Sequence, residues 1–297
     1  MDISDSEFDK IIAVIREHSA YDFGDYSDKS LRRRFSKVLM DYRIPASILI
    51  RQLETQPQFL ETVVKKITVN TTEMFRDPAV WIDMRQNILP ALAEKDAIHI
   101  WHAGCSSGQE VYSMMIMLSE AGLLEKTHLW ATDLNNDVLE TAREGIYKYR
   151  FNLSYLDNFE KIIQSADNPA FSGEELWNKY FEIDTAGDRI KVRPILLGKA
   201  VFAKHDLATE PNFSSTPFDL IICRNVIIYF NYHRQNKIFD LFYRHLIDNG
   251  ILLLGIHESI HGVFLSKFEK QGCFYQKRSD AGGKGRLPLP SLSGGGK

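Results

Sequence analysis

"HAGCSSGQEVYS", residues 102–113, lies between the short apolar runs AIHIW and MMIML. The order predicts a strand, a turn of small residues and then a helix, because small residues let the chain reverse sharply between two apolar segments. Gly104 and Gly108 lack a β-carbon and let backbone approach a ligand closely. Working outward, further apolar strands appear at HLWAT, FDLIIC and ILLLG. They alternate with the helical stretches MMIMLSEAGLL, DVLETAREG and RQNKIFDLFYRHLI. Such alternation predicts a mostly parallel sheet with helices on both faces.

The expected fold class is therefore α/β with a Rossmann-like core. In an open parallel sheet ligands bind at the carboxyl ends of the strands, so the turns after AIHIW, HLWAT and FDLIIC should line one crevice. The first turn has neither the G-x-G-x-x-G spacing of a dinucleotide site nor the Lys of a phosphate-binding loop. A ligand without a pyrophosphate fits better. Asp133, at the end of the second strand in "ATDLN", stands where a carboxylate can accept hydrogen bonds from both hydroxyls of a ribose. Turn and acid together point to a nucleoside cofactor such as S-adenosylmethionine. Each residue also has a purely structural reading. Glu110 can serve the helix dipole, Asp133 can cap DVLETAREG, and the glycines can simply form turns.

Residues 1–66 read differently. Phe8, Ile11, Ile12 and Ile15 recur at helical spacing and Pro45 and Pro57 mark breaks, which predicts a small all-helical domain. Within it "KSLRRRFSKVLMDYR", residues 29–43, holds six basic residues against the single acid Asp41. On a helix Leu31, Phe35, Val38, Leu39 and Tyr42 share one face, and Lys29, Arg32, Arg33 and Lys37 lie away from it. That basic face is either a solvated surface or a dock for an acidic partner. That partner could be protein or nucleic acid, and the few aromatics among the charges weaken the case for single-stranded nucleic acid.

Residues 67–279 form the expected α/β domain. Between about 147 and 204 its rhythm is interrupted, and FEIDTAGDRIKVRPIL reads as two strands of a small inserted antiparallel β-subdomain. Residues 280–297 are rich in Gly, Pro and Ser and read as a disordered tail. The chain has 297 residues, 44% hydrophobic and 25% charged, ordinary for a soluble protein of one or two domains. The charged start predicts no secretory signal, and no apolar run approaches the roughly 20 residues of a membrane span. Three widely spaced cysteines, 105, 223 and 273, argue against a disulfide framework and a thiolate zinc site, so a cytoplasmic location is expected.

Three stretches in order, "NTTEMFRDPAVW" at 70–81, "AGCSSGQEVYS" at 103–113 and "CRNVIIYF" at 223–230, make the chain resemble the CheR family of chemotaxis-receptor glutamate methyltransferases. The resemblance covers about residues 1–278. It implies that Asn70, Thr72 and Arg76 reach S-adenosylmethionine, that Glu110 holds its amino group and Asp133 its ribose, with Gly104 also among the cofactor-binding residues. Asp206 and Leu207 in "KHDLATE" resemble the pair flanking the adenine. Arg224 and Asn225 line the same pocket, and Tyr229 resembles the tyrosine that orients the transferred methyl. Arg32, Arg33 and Lys37 would dock the cytoplasmic helical region of methyl-accepting receptors. A glutamyl methyl ester and S-adenosylhomocysteine are the implied products, with no nucleic acid, no membrane insertion and a monomeric enzyme expected. Two departures stand out. "HDL" replaces an NLL-like segment, and a basic residue that steers the substrate glutamate has no match between Arg85 and Lys95.

The reading has rivals. One is a methyltransferase for another acidic acceptor, although "CRNV" in place of an Asn-Pro-Pro-aromatic motif disfavours nitrogen acceptors. A second is a non-catalytic cofactor-binding sensor or adaptor. "HESIH", residues 257–261, matches the H-E-x-x-H of zinc proteases. That motif requires a helix, whereas here a strand ends just before it, and no metal is expected.

Overall fold

The structure, a computed structural model, describes residues 3–19, 21–68, 72–163, 173–207, 209 and 214–279. Asn70 and the tail at 280–297 lie outside the described residues. The chain divides into two compact units, Met1–Asn70 with Val226–Ile238, and Thr71–Asn225 with Phe239–Lys297.

The first unit is built on helices α1 (Asp5–His18), α2 (Asp28–Tyr42), α3 (Ala46–Thr55) and α4 (Pro57–Ile67). Local chemistry sets their ends. Ser4 and Glu7 form a reciprocal capping box on α1, which satisfies two otherwise orphaned amides. Pro45 precedes α3 and Pro57 opens α4, where a missing N–H costs nothing. The apolar stripes meet in one core of Phe8, Ile11, Ile15, Leu31, Phe35, Val38, Leu49, Leu53, Leu60 and Val63. Val14 is buried and Ile12 only half-buried, a small rotation from the expected stripe. Tyr42 is exposed rather than in the stripe.

The second unit begins with α5 (Pro78–Asp83), a π-helical turn at Met84–Ile88 and α6 (Leu89–Ala93). Then follow β1 (Ile98–Ala103), α7 (Gln109–Glu120), β2 (Thr127–Asp133) and α8 (Asn136–Glu144). Next come β3 (Ile146–Lys148), α9 (Tyr149–Ile163), α10 (Gly173–Tyr180), β4 (Phe181–Asp184), β5 (Arg189–Val192) and β6 (Ala200–Lys204). The chain closes with β7 (Phe218–Cys223), α11 (Tyr232–His245), β8 (Leu246–Leu254), β9 (Phe268–Gln271) and β10 (Phe274–Lys277). Seven strands form a mixed sheet in the order β6-β2-β1-β7-β8-β10-β9. The pairs β2·β6, β1·β2, β1·β7 and β7·β8 are parallel, and β10 is antiparallel to both its neighbours. β7 is buried along its whole length, as a central strand covered on both faces must be. From β1, Ile98 and Ile100 pack into the cluster containing Met114 and Met115 of α7. Trp101, pointing the other way, meets Phe242 of α11 at 5.5 Å between ring centres.

The inserted sheet has the order β3-β5-β4 and is antiparallel throughout. Two corrections apply to the insertion expected over about 147–204. It carries helices α9 and α10 as well as strands, and it ends before β6, which pairs with β2 at the edge of the main sheet. An edge strand tolerates an outward apolar residue such as Val201, 49% exposed, so AVFAK lacks the solid apolar run that marks central strands.

Candidate functional site

The turn after β1 is folded by backbone demands. The amides of Gly104 and Cys105 both donate to the Thr132 carbonyl at 2.8 Å, drawing the ends of β1 and β2 together. Gly108 has φ 85°, and a β-carbon there would stand 2.8 Å from that of Ala142, so α7 starts against α8 only because the residue is glycine. Asp133 closes the turn from β2. Its Oδ2 accepts from the Ser106 amide at 2.8 Å and its Oδ1 from the Asn135 amide at 3.0 Å. Burial pushes this carboxyl above its usual range, opposed by those amides. The amide of His205 donates to the Asp133 carbonyl at 3.0 Å, which brings the Asp206–Leu207 segment beside the same strand end. Asp206 is buried and its Oδ2 accepts from the Thr209 hydroxyl at 3.0 Å.

Arg224, whose side chain is 0% exposed, follows β7 and organises the other half of the crevice. Its Nη1 donates to Glu110 Oε2 at 2.7 Å, and its Nη2 to Asp77 Oδ2 at 2.7 Å and to the Arg76 carbonyl at 3.1 Å. The guanidinium lies 5.9 Å from the centre of the Trp81 ring, whose Nε1 donates to that same Arg76 carbonyl at 2.9 Å. His102 Nδ1 stands 3.5 Å from Glu110 Oε1. Burial alone would raise the Glu110 carboxyl, but Arg224 and His102 outweigh it and hold it below the ordinary range. Burial, with Glu258 and Glu110 nearby, pushes the Cys223 thiol well up, so it is no nucleophile.

Backbone strain concentrates here. Of the seven described non-glycine residues with positive φ, four sit in these loops: Phe75, Asp77, Ser106 and Asn225. Conformations of this cost persist where the surroundings over-determine them. Ser113 Oγ accepts from the Phe75 amide at 2.9 Å, while Phe75 packs on Trp81 and Phe159. For Asn225 the fixing group is Glu258, whose Oε2 accepts from the amides of Asn225 and Gly255, both at 2.8 Å. This is the acid of HESIH. It is buried in a turn and not on a helix, its histidines are exposed, and its partners are amides. Among the described residues no cluster of His, Cys, Asp or Glu could hold a metal ion.

The structure thus gathers Gly104, Glu110, Asp133, Asp206, Arg224, Asn225 and the Arg76 backbone at the carboxyl ends of β1, β2, β6 and β7. Thr72 and Leu207 are half-buried at its borders in the chain. Tyr229 belongs to the other unit. Asp77, His102 and Glu258 were missed in the sequence. Asp77 adjoins a recognised segment, and His102 continues the inward alternation of Ile98 and Ile100. Glu258 gave no signal beyond its misleading motif. Among the described buried atoms without a hydrogen-bond partner are Ser106 Oγ, His102 Nε2 and Arg224 Nε. Polar atoms in that state suit a polar ligand. Glu110 and Asp77 share one guanidinium, and Asp133 stands on the neighbouring strand end. The surplus is negative, which suits a cation such as a sulfonium.

Arg32 does not face solvent freely. It donates to the Ile3 carbonyl at 3.1 Å, pairs with Asp5 at 2.8 Å and lies 4.2 Å over the Phe8 ring. Arg33 and Lys37 are exposed. No helix among the described residues is long and apolar enough to cross a membrane.

Comparison with known proteins adds sequence-wide similarity. The sequence model for the all-alpha domain of CheR methyltransferases matches residues 6–68, and that for the SAM binding domain of CheR methyltransferases matches residues 70–274. The methyltransferase Cher3 of Pseudomonas putida is 34% identical over 268 residues, covering 90% of this chain and 93% of that protein. Chemotaxis protein methyltransferase 1 of Vibrio cholerae is 30% identical over 283 residues, covering 91% and 95%. The chemotaxis protein methyltransferase of Listeria monocytogenes is 26% identical over 250 residues, covering 83% and 87%.

Proposed function

We propose a division of labour among the site residues from one premise: the chain belongs to the CheR methyltransferase family. It is an S-adenosylmethionine-dependent chemotaxis-receptor methyltransferase, a protein-glutamate O-methyltransferase. When bound, S-adenosylmethionine supplies a methyl group made electrophilic by its sulfonium. Glu110, kept ionised by Arg224, accepts from the amino group of the cofactor. Asp133 holds the ribose hydroxyls, Asp206 and Leu207 flank the adenine, and Asn70, Thr72, Arg76 and Asn225 complete the contacts. Tyr229 orients the transferred methyl.

No general base is assigned, because a glutamate side chain with a pKa of about 4.3 already arrives as a carboxylate at neutral pH. What remains is in-line placement of the attacking oxygen and exclusion of water, which strengthens attraction between opposite charges. Arg224 therefore acts by fixing Glu110 and by setting the charge of the crevice, not by moving a proton. The substrate is a glutamate in the cytoplasmic helical region of a methyl-accepting receptor. The exposed Arg33 and Lys37 would favour the acidic surface around it. The enzyme would act in the cytoplasm and as a monomer.

The observation that carries this reading is Arg224 bridging Glu110 and Asp77 at the end of β7, with Asp133 at the end of β2. The test is transfer of labelled methyl to receptor cytoplasmic fragments, scored as base-labile label. Label that disappears in Asp133→Ala is expected. Label that survives mild base would mean a different acceptor atom.

A further inference from the structure

Helix α2 carries three arginines in a row with three different fates. Arg32 is tied to α1, Arg33 is exposed, and Arg34 is only 8% exposed. Burying a guanidinium is costly unless its donors and faces are engaged. Arg34 Nη1 donates to the carbonyl of Ile67, the last residue of α4, at 2.5 Å. Its guanidinium carbon lies 4.4 Å from the centre of the Tyr229 ring, in cation–π contact. Burial pulls its pKa down and the phenol of Tyr229 opposes that pull.

The turn that carries Tyr229 is clasped by the loop ahead of α2. The Ser27 amide donates to the Tyr229 carbonyl at 2.9 Å, and the Asn231 amide to the Asp25 carbonyl at 2.9 Å. Arg234 forms an ion pair with Asp25, and Tyr26 packs on Phe230 at 4.7 Å between ring centres. The backbone of the turn is thus fixed on both sides of Tyr229, while the ring itself is held by Arg34. The same guanidinium secures the end of α4, from which the chain runs on to Asn70.

We propose that Arg34 is a positioning residue for Tyr229. The proposal rests on the reading that Tyr229 orients the methyl. A flat guanidinium can lie along the ring and donate to the carbonyl at once; a lysine ammonium is a compact point charge that cannot stack flat on the ring while it donates to Ile67.

The experiment is a double-variant cycle in the full-length enzyme with Arg34→Met, Tyr229→Phe and their combination, and with Arg34→Lys as the variant that keeps a donor for Ile67. Steady-state methylation at saturating receptor fragment gives kcat, and titration calorimetry with S-adenosylhomocysteine gives cofactor affinity. Arg34→Met should lower kcat about ten- to a hundredfold, the scale of a small misplacement of a positioned group. Affinity for S-adenosylhomocysteine should stay within about twofold, and the combined variant should be no slower than the slower single one. Arg34→Lys should keep the thermal midpoint yet lose kcat like Arg34→Met. Multiplying losses, or a folded Arg34→Lys enzyme with full kcat, would overturn the proposal while leaving Tyr229 in its role. An unchanged Tyr229→Phe enzyme would instead overturn the reading of Tyr229.

Discussion

Replacing Arg224 by methionine keeps most of the side chain's volume and removes the one cation between Glu110 and Asp77. Removing one partner of a buried ion pair costs about 3–5 kcal/mol, because the remaining charge is left uncompensated. The Glu110 and Asp77 side chains keep 15% and 25% of their surface exposed, so water relieves part of that loss. The lower end, about 3 kcal/mol, is the expected cost, equivalent to a midpoint shift of about 6–12 °C for a unit of this size. The pH dependence is the sharper test. In the wild type the Glu110 carboxyl is depressed, so it contributes stability above the ordinary value of 4.5 that is lost as pH falls through its folded pKa. Without Arg224, burial is opposed only by His102 and the carboxyl should rise above that value. A raised group destabilises at neutral pH and is relieved on acidification. The gap between variant and wild type should therefore narrow from pH 7.5 to 5.5. Urea unfolding followed by tryptophan fluorescence reads the correct unit, since Trp81, Trp101, Trp130 and Trp177 all lie in it. A gap below about 1 kcal/mol, the value of a surface pair, or one that widens at pH 5.5 would refute the reasoning.

Gly108→Ala should destabilise by about 1–2 kcal/mol from the left-handed backbone alone, with the clash against Ala142 added, and should weaken S-adenosylhomocysteine binding at least about tenfold, since effects at a positioned site are steep. Calorimetry showing unchanged affinity would remove that turn from the cofactor site. Glu258→Ala leaves the buried Gly255 amide and the half-buried Asn225 amide without this acceptor and should cost about 2–4 kcal/mol; prolonged dialysis against a chelator should not move the wild-type melting curve, and a drop would revive a metal at HESIH. Reversing Arg33 and Lys37 to glutamate together should raise the receptor KM, most strongly at low ionic strength, with cofactor affinity unchanged. A KM insensitive to both substitutions and salt would place docking elsewhere.

The central strands and their turn were legible because buried parallel strands are solid apolar runs and a tight turn beside a ligand needs small residues. β9 and β10 were not. FEKQ and FYQK carry charges, and their pairing is with each other and β8, which no local pattern encodes. The site was legible as far as strand ends and the family resemblance reach: Asp133 follows from knowing where a strand stops, while Glu110, Arg224 and Asn225 were implied by the motifs shared with the CheR family. Asp77 and His102 matter through partners over thirty positions or more away or across a turn, a relation that spacing does not contain. Arg34 was hidden for a different reason. Helical spacing from Leu31 puts it within the apolar stripe, but a run of arginines reads as surface, and the Ile67 carbonyl together with the ring of Tyr229, nearly two hundred residues on, explains why a cation is tolerated inside.

The helical unit is completed by Val226–Ile238, whose Ile227 and Phe230 are buried. Its last piece is therefore made long after its first. During synthesis the four helices emerge early but must wait for about a hundred and fifty further residues, about eight to thirty seconds at about 5–20 residues per second. In that interval the surfaces meant for residues 226–238 stand uncovered. The boundary at which sequence similarity changes from one domain to the other is thus not a boundary of folding. A fragment ending there would carry the basic helix without the tyrosine turn that seals it, and the enzyme gains its finished helical unit only once residue 238 has been made.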